Sequence, residues 1–321
     1  MVELQVIKLW RMNRRRFLFG SVAGSTLFAL GIKDENAFAA EKFIKLTILH
    51  TNDVHSRIDP FPMDDQKFPG RGGVAPRAAL INKIRSEERN VLLFDAGDIF
   101  QGTPYFNYYG GELEIKLMSK MKYDAGTMGN HDFDNGLEGF NKQLPHASFP
   151  FLTSNYNFSN TILEGKTKDF KIFYKEGLKI GVFGLCLELN GIVNKEQYGE
   201  THYLDPVKMA REMEVFLKKD QKCDLIICLS HLGYNYDFNK VSDKVIAKNT
   251  YYIDLIIGGH THTFLEVPDA IKNLNGRETL INQVGYAGVN LGRLDFVFER
   301  DRRGKMSYSS ASEPIKTYFK F

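Results

Sequence analysis

The sequence is poor in cysteine, and its three cysteines form neither a metal pattern nor a disulfide pattern. Cys186 and Cys228 lie inside apolar runs, and Cys223 opens the second of these runs. An odd number excludes a fully paired disulfide set, and none has the spacing of a zinc-ligand set. Small buried hydrophobic side chains are the expected role. A metal site in this protein would therefore use other residue types.

Positive charge is scarce outside the N-terminal region. The formal net charge is +3, and residues 1–39 hold six Lys or Arg against three Asp or Glu, so residues 40–321 are balanced. A nucleic-acid-binding domain would keep its basic excess in the folded part, so we expect no nucleic-acid partner. The patterns GxxxxGK[ST], GxSxG and HExxH are also missing. Their absence removes P-loop, serine-hydrolase and zincin chemistry as competing interpretations.

The first 39 residues are typical of a targeting segment. An arginine cluster at 14–16 precedes an apolar stretch, and small residues at 37–39 suit a cleavage site. RRRFL resembles the twin-arginine export signal, with an ordinary secretory signal or a membrane anchor as alternatives. The apolar run 17–32 is too short and too weakly apolar for a stable membrane span. We predict Met12 as the true start, removal of 1–39 as a signal peptide, and a periplasmic or other extracytoplasmic location.

Short apolar runs alternate with helical patterns along most of the remaining chain. The predicted strands are 45–50, 90–97, 123–129, 149–155, 179–185, 223–230 and 252–259, and the predicted helices are 73–88, 111–121, 206–219 and 238–248. This alternation predicts an α/β fold with mostly parallel central strands, followed by an antiparallel ending after Thr263. Without an internal repeat or a long linker, residues 40–321 are predicted to form one domain.

Candidate metal ligands follow five of the predicted strands. They are Asp53, His55, Asp98, Asn130, His231, His260 and His262. The carboxyl ends of parallel strands meet at one edge of a sheet, so these side chains are expected to converge. Carboxylate, amide and imidazole ligands without cysteine suit zinc, manganese or iron. Seven ligands are too many for one tetrahedral ion, and they suit two ions that share a carboxylate and a bridging water.

Two divalent ions roughly 3.5–4 Å apart are the usual arrangement for in-line displacement at phosphorus. The sequence therefore predicts two divalent metal ions as cofactors and a small phosphorylated substrate. Taken singly, each of these residues could be a loop carboxylate, a helix cap or a buried histidine. The order D-x-H, G-D, G-N-H, H-x-G and G-H-x-H at successive strand ends is what favours a metal centre.

The order of these motifs resembles the calcineurin-like metallophosphoesterases, and more closely the N-terminal catalytic domain of the bacterial 5′-nucleotidase and UDP-sugar hydrolase family. The matching segments are ILHTNDVHS, DAGDIFQGTPY, MGNHDFDNG, SHLG and IIGGHTH, within a match from about Lys45 to about Glu299. The resemblance implies an α/β fold of four layers, an α/β/β/α sandwich of two mixed sheets flanked by helices. It also implies a metal-dependent phosphoric ester hydrolase.

The resemblance further implies a role for each site residue. Asp53, His55 and His262 would hold one ion, Asn130, His231 and His260 would hold the other, and Asp98 would bridge them. His131 is expected to face the substrate phosphate, stabilising the transition state and protonating the leaving oxygen, rather than to bind metal. Asp134 is expected to hydrogen-bond His131 and set its tautomer. Asp132 is expected to be only a turn residue.

Full-length members of the resembled family carry a C-terminal domain that recognises the nucleotide, and this sequence, ending at Phe321, is expected to lack it. Two alternatives follow: a separate nucleotidase C-terminal-domain protein is the partner that recognises the substrate, or the chain is a stand-alone phosphoesterase with another substrate. The leading hypothesis is an exported phosphoesterase that cleaves phosphomonoesters such as 5′-nucleotides by attack of a metal-bridging hydroxide. The alternatives are hydrolysis of a phosphodiester, a UDP-sugar pyrophosphate or a thiosulfonate, and a metal-binding subunit without activity of its own.

Overall fold

The structure, a computed structural model, describes residues 42–300 and 306–316. The predicted signal segment lies outside the described residues. Of the described residues, 45–297 and 306–316 form one compact unit, and 42–44 with 298–300 fall into a second. In these ranges, no helix has the length and apolarity needed to cross a bilayer.

The strands of the described ranges are short and numerous. They are β1 (Phe43–Thr51), β2 (Val91–Asp95), β3 (Ala125–Gly126), β4 (Tyr156–Asn157), β5 (Phe170–Lys175), β6 (Leu178–Leu185), β7 (His202–Tyr203), β8 (Leu225–Ser230), β9 (Leu255–Gly258), β10 (Asp269–Lys272), β11 (Glu278–Asn282), β12 (Asn290–Glu299) and β13 (Met306–Pro314). The α-helices are α1 (Val74–Glu87), α2 (Pro104–Tyr109), α3 (Glu112–Lys120), α4 (Gly136–Gln143), α5 (Lys195–Tyr198), α6 (Pro206–Val215) and α7 (Asp243–Asn249). Two 3₁₀ turns lie at His131–Phe133 and Leu144–His146, and a π-helical turn, Phe216–Asp220, extends α6.

Two sheets carry the fold. The first has the strand order β13-β12-β1-β2-β3, and the second has the order β10-β11-β9-β8-β6-β5. Strands β1, β2 and β3 run parallel, as do β6, β8, β9 and β11, while β5 and β10 pair antiparallel at the edges of the second sheet. The prediction of parallel central strands is confirmed. The predicted antiparallel ending is correct for β11 on one side only, because β11 pairs antiparallel with β10 and parallel with β9.

The two sheets pack face to face. The Nδ2 amide of Asn282 on β11 donates to Nε2 of His50 on β1 over 2.9 Å, and the rings of Phe94 on β2 and Phe173 on β5 lie 5.6 Å apart between centroids. Burial lowers the pKa of His50 to about 3, so this histidine is a neutral acceptor within the core. The contacts therefore tie the inner faces of the sheets together.

Helices cover the outer faces of both sheets. Ile81 of α1 is buried in one cluster with Leu93 of β2, and Ile246 of α7 is buried in another with Ile226 of β8. Each such side chain, fully removed from water, contributes about 1.5–3 kcal/mol to folding. The layers follow in the order helices, sheet, sheet and helices, which confirms the predicted four-layer α/β/β/α sandwich.

Helix α6 begins where its sequence predicts. Pro206 occupies the first turn, where a missing N–H costs nothing. The carboxylate of Asp205 accepts hydrogen bonds from the backbone of Val207 at 2.8 Å and Lys208 at 3.1 Å. The cap satisfies donors that have no partner within the helix.

Two predicted strands are shorter than expected. Only Ala125 and Gly126 of the run 123–129 pair as a strand, because the polar residues that follow leave the sheet to form a loop. The run 149–155 forms isolated bridges at Phe151 and Leu152 rather than a continuous strand. Pro150 lies inside that run and has no N–H to donate to a ladder.

Candidate metal centre

The predicted ligands converge at the carboxyl edge of the sandwich. They lie in the loops that follow β1, β2, β3, β8 and β9, and six of them form two groups of donor atoms within 4.8 Å of one another. One group is Asp53, His55 and His262, and the other is Asp98, His231 and His260. Asn130, the seventh predicted ligand, joins the second group through His260.

The first group is held by a chain of short distances. Nε2 of His55 lies 3.0 Å from Nε2 of His262, which lies 3.3 Å from Oδ1 of Asp53. Nδ1 of His55 is 3.3 Å from the carbonyl oxygen of Phe100 and can donate only to it. This backbone contact assigns the proton to Nδ1, so the lone pair of Nε2 faces the group.

The second group is more deeply buried. Nε2 of His231 lies 3.1 Å from Oδ2 of Asp98, and Nδ1 of His260 lies 3.0 Å from Oδ1 of Asn130. Nδ1 of His231 donates to the carbonyl of Ala96 over 2.6 Å. As in the first group, a backbone carbonyl fixes the tautomer and leaves Nε2 to act as a ligand.

Two carboxylates, each a member of one group, also approach the other group. Oδ2 of Asp98 is 3.8 Å from Nε2 of His55, in addition to its contact with His231. Oδ1 of Asp53 is 3.9 Å from Nε2 of His231, in addition to its contact with His262. The geometry is thus compatible with the predicted sharing of Asp98, and it brings Asp53 into a similar intermediate position.

The positions of the donor atoms suit binding to divalent ions better than direct contact with one another. Nε2 of His231 is buried 3.1 Å from Oδ2 of Asp98 but without hydrogen-bond geometry, and the Nε2 atoms of His55 and His262 face each other. An unpaired buried polar atom costs about 1–3 kcal/mol. Two nitrogen ligands each about 2.1 Å from one ion lie about 3.0–3.4 Å apart, which matches these separations. The residues present therefore fit a divalent ion in each group.

The charges of the second group are strongly coupled. Burial lowers the pKa of His231, but the carboxylates of Asp98 and Asp53 outweigh it and raise that pKa to about 10. Burial and the neighbouring His231 lower the pKa of His260 to about 4. A proton and a divalent ion would compete for Nε2 of His231, so ion binding at this group would release a proton.

The backbone at the ligands is unusual. Five of the seven predicted ligands have left-handed φ angles: Asp53 (49°), His55 (49°), Asp98 (55°), His260 (73°) and His262 (52°). Such a conformation costs a residue other than glycine about 1–3 kcal/mol and persists only where the surroundings impose it. Backbone strain that is concentrated in one set of residues is typical of a functional site.

His131 and Asp134 lie beside the two groups without belonging to them. Nδ1 of His131 is 3.0 Å from Oδ2 of Asp134, and the ring of His131 lies 5.3 Å from the ring of His55. The side chain of His131 is 38% exposed, so part of its ring is accessible from solvent. The hydrogen bond to Asp134 raises the pKa of His131. The predicted pair is formed, and its catalytic role stays a prediction.

Asp132 is more than the turn residue that the sequence suggested. Its side chain is buried, and its two oxygens accept hydrogen bonds from the backbone N–H groups of Asp98, Ile99, Phe100 and Gly129. Burial and the nearby Asp98 raise the pKa of Asp132. We nevertheless assign the ionised form, because a proton on either oxygen would face amide hydrogens. The signal in the sequence was that GNHDFD contains a carboxylate, Asp132, beside the one predicted to orient His131.

Tyr286 also contributes to the site without a signal in the motifs. Its ring stacks on the ring of His262, with centroids 4.9 Å apart and planes 19° from parallel. Nζ of Lys67 donates to the hydroxyl of Tyr286 over 3.2 Å. The stack restricts the orientation of the His262 ring, a predicted ligand.

Two groups of candidate metal ligands at the edge of a two-sheet sandwich are typical of metal-dependent hydrolases. The chain belongs to the calcineurin-like phosphoesterase family, whose sequence model matches residues 46–264. That family consists of metal-dependent hydrolases. Membership confirms the family resemblance that the motifs indicated.

The similar proteins are mainly 5′-nucleotidases. Snake venom 5′-nucleotidase of Crotalus adamanteus is 33% identical over 290 residues, which cover 84% of this chain and 47% of that protein. The 5′-nucleotidase precursor of Thermus thermophilus superposes with a TM-score of 0.76 at 30% identity, covering 85% of this chain and 55% of that one. The calcineurin-like phosphoesterase YfkN of Bacillus subtilis superposes with a TM-score of 0.69 at 26% identity, covering 85% and 91%. The chain spans about half the length of the curated relatives it matches.

Proposed function

We propose that this chain is a two-metal phosphoesterase that hydrolyses phosphomonoesters, with 5′-nucleotides as the first substrate class to test. The observation that carries the proposal is the pair of ligand groups, with Asp98 of the second group 3.8 Å from His55 of the first and the His131–Asp134 pair next to them. The 5′-nucleotidase names of its relatives support the choice of substrate.

The ions, when bound, would lower the pKa of a water between them and neutralise charge on the phosphoryl oxygens. The chain's own residues would do the rest. Asp134 accepts the Nδ1–H of His131 and thereby leaves Nε2 as the nitrogen for the substrate. From that position His131 would donate a proton to the leaving oxygen, a role that contributes about 10²–10⁴-fold to a rate.

The assay follows from the proposal. The mature chain would be reconstituted with manganese or zinc, and ions per chain would be measured beside turnover of AMP, p-nitrophenyl phosphate, its bis ester, a 2′,3′-cyclic nucleotide and a UDP-sugar. Turnover of AMP and p-nitrophenyl phosphate supports the proposal. Turnover of only the diester or the UDP-sugar favours the alternative bonds. Two bound ions without any turnover would favour a metal-binding subunit that needs a partner.

Export is a separate part of the proposal and rests on the sequence. We propose that translation starts at Met12, that the segment from there to residue 39 is a twin-arginine signal, and that the catalytic domain lies within residues 40–321. Replacing Arg14 and Arg15 with lysine should leave the precursor in the cytoplasm. N-terminal sequencing of the precursor and of the exported protein would locate the start and the cleavage site.

A further inference from the structure

Asp132 joins two loops that carry predicted ligands. Oδ1 accepts the N–H groups of Ile99 at 3.0 Å and Phe100 at 3.2 Å. Oδ2 accepts those of Asp98 at 3.0 Å and Gly129 at 2.8 Å. The carboxylate thus binds three consecutive amides of the loop after β2 and one amide of its own loop after β3.

The connection is reciprocal. While Asp132 binds the amide of Asp98, Oδ1 of Asp98 accepts the N–H of His131 over 2.8 Å. Oδ2 of Asp98 is left for the two ligand groups. The loops are therefore fixed to each other by two carboxylates, one of which belongs to the residue that approaches both groups.

The arrangement exceeds what a turn requires. A turn aspartate ordinarily accepts one or two amides a few residues along the chain. Asp132 is 1% exposed and reaches amides 32 to 34 residues away. Converging backbone N–H groups form an anion site, and here the anion is a side chain of the same protein. Its partner Asp98 has a φ of 55°, a conformation that needs support from its surroundings.

We propose that Asp132 is a positioning residue that holds the Asp98 loop and the Asn130–His131 loop in register and thereby sets the metal affinity of both groups. This inference rests on the proposed two-metal function. Its chemistry is that of an outer carboxylate which orients the inner ligands, and removal of such a partner typically weakens metal binding about 10–100-fold.

The decisive variants are Asp132→Asn and Asp132→Glu. Each oxygen of Asp132 accepts two backbone N–H groups. In asparagine one oxygen is replaced by NH₂, which is itself a donor, so two of the four N–H groups lose their acceptor. A glutamate keeps the charge and both acceptor oxygens on a longer arm. We expect Asp132→Asn to weaken manganese binding, measured by calorimetry, by about tenfold or more, and Asp132→Glu to recover most of that loss.

Asp124→Asn is the matched control. Oδ2 of Asp124 accepts the backbone N–H of Leu93 over 2.8 Å in the same sheet, away from the ligand loops. The amide oxygen of asparagine can still accept this N–H, so we expect the control to keep wild-type manganese affinity. Asp132→Asn with wild-type manganese affinity, whatever its thermal stability, would reduce Asp132 to a structural residue and overturn the proposal.

A measurement on the wild-type protein covers the case in which Asp132→Asn does not fold. In protein treated with a chelator, amide hydrogen exchange should be slow at 98–100 and at Gly129, because these amides are bonded to Asp132. Exchange at the rate of open loops would overturn the proposal. Wild-type protein that binds no manganese at all would instead contradict the proposed function, so the two failures are distinguishable.

Discussion

The backbone of Gly129 lies directly against the carboxylate of Asp98. A β-carbon on Gly129 would be 2.1 Å from Oδ1 and 2.6 Å from the backbone nitrogen of Asp98, although Gly129 itself has no left-handed φ angle. The absence of a side chain at this position is therefore required by the space that Asp98 occupies, and not by backbone conformation.

Gly129→Ala should accordingly displace Asp98 and disrupt both ligand groups. We expect loss of at least one bound ion per chain and a fall in turnover, measured by metal analysis and a phosphatase assay. Gly126→Ala is the matched control on the same segment, since its β-carbon would meet neighbours at an ordinary 3.6 Å. Equal metal content in the two variants would contradict the steric argument.

His131→Ala should separate catalysis from metal binding. His131 belongs to neither ligand group, so the variant should keep the wild-type ion content. Its kcat should fall by about 10²–10⁴-fold, the usual contribution of a positioned acid. His146→Ala, which removes a histidine from a distant 3₁₀ turn, should leave both quantities unchanged. Loss of ions together with kcat would show that His131 is a ligand.

Tyr286 should affect one ligand group more than the other. Tyr286→Ala removes the stack on His262 and should weaken the group of Asp53, His55 and His262, while Tyr286→Phe keeps the ring and should bind nearly as the wild type does. Stepwise manganese titration would resolve the two ions, with an expected loss of about tenfold in one step. An equal loss in Tyr286→Phe would attribute the effect to the contact with Lys67.

Asp254 should make stability depend on pH. It lies away from the metal centre, 6% exposed, where Oδ2 accepts the N–H of Ile226 at 2.9 Å and Oδ1 lies 3.4 Å from Arg277. Burial raises its pKa from the usual 3.8 to about 6. The folded state therefore binds the proton more tightly, so the resulting stability is present below the unfolded pKa and is lost as the pH rises through about 6.

The comparison with Asp254→Asn isolates this effect, because other titrating groups are common to both proteins. From about pH 4 to about pH 7 the free energy of unfolding of the wild type should fall by about 2–3 kcal/mol relative to the variant. Urea denaturation of chelator-treated protein would measure it. A difference that stays constant with pH would mean that Asp254 titrates normally.

The position of the candidate metal centre could be predicted because the ends of strands can be recognised in a sequence. The runs before Asp53, Asp98 and His231 are apolar and short, and each polar group begins where the run stops. The parallel pairing of these strands then places the polar groups at one edge. Local pattern and topology agreed, so the fold class and the convergence of the ligands followed.

The supporting contacts could not be predicted in the same way. Asp132 binds backbone amides, which every residue except proline possesses, so no residue type at 98–100 marks the partner. Tyr286 meets His262 through a loop whose path depends on the packed sheets. The weak strand pairing at 149–155 likewise reflects the tertiary surroundings and Pro150 rather than hydrophobicity. The periodicity of a sequence indicates which side chains are buried, but it does not indicate which residues they contact across the interior.

Each ligand group takes residues from both sheets. Asp53 and His55 follow a strand of the first sheet and His262 follows a strand of the second, and the other group is divided in the same manner. Neither group exists, then, until the two sheets have docked, and an unfolded chain offers only scattered weak donors. Ion binding at these groups would thereby be coupled to folding. Any ions that the groups bind would then be taken from the pool available where the chain folds.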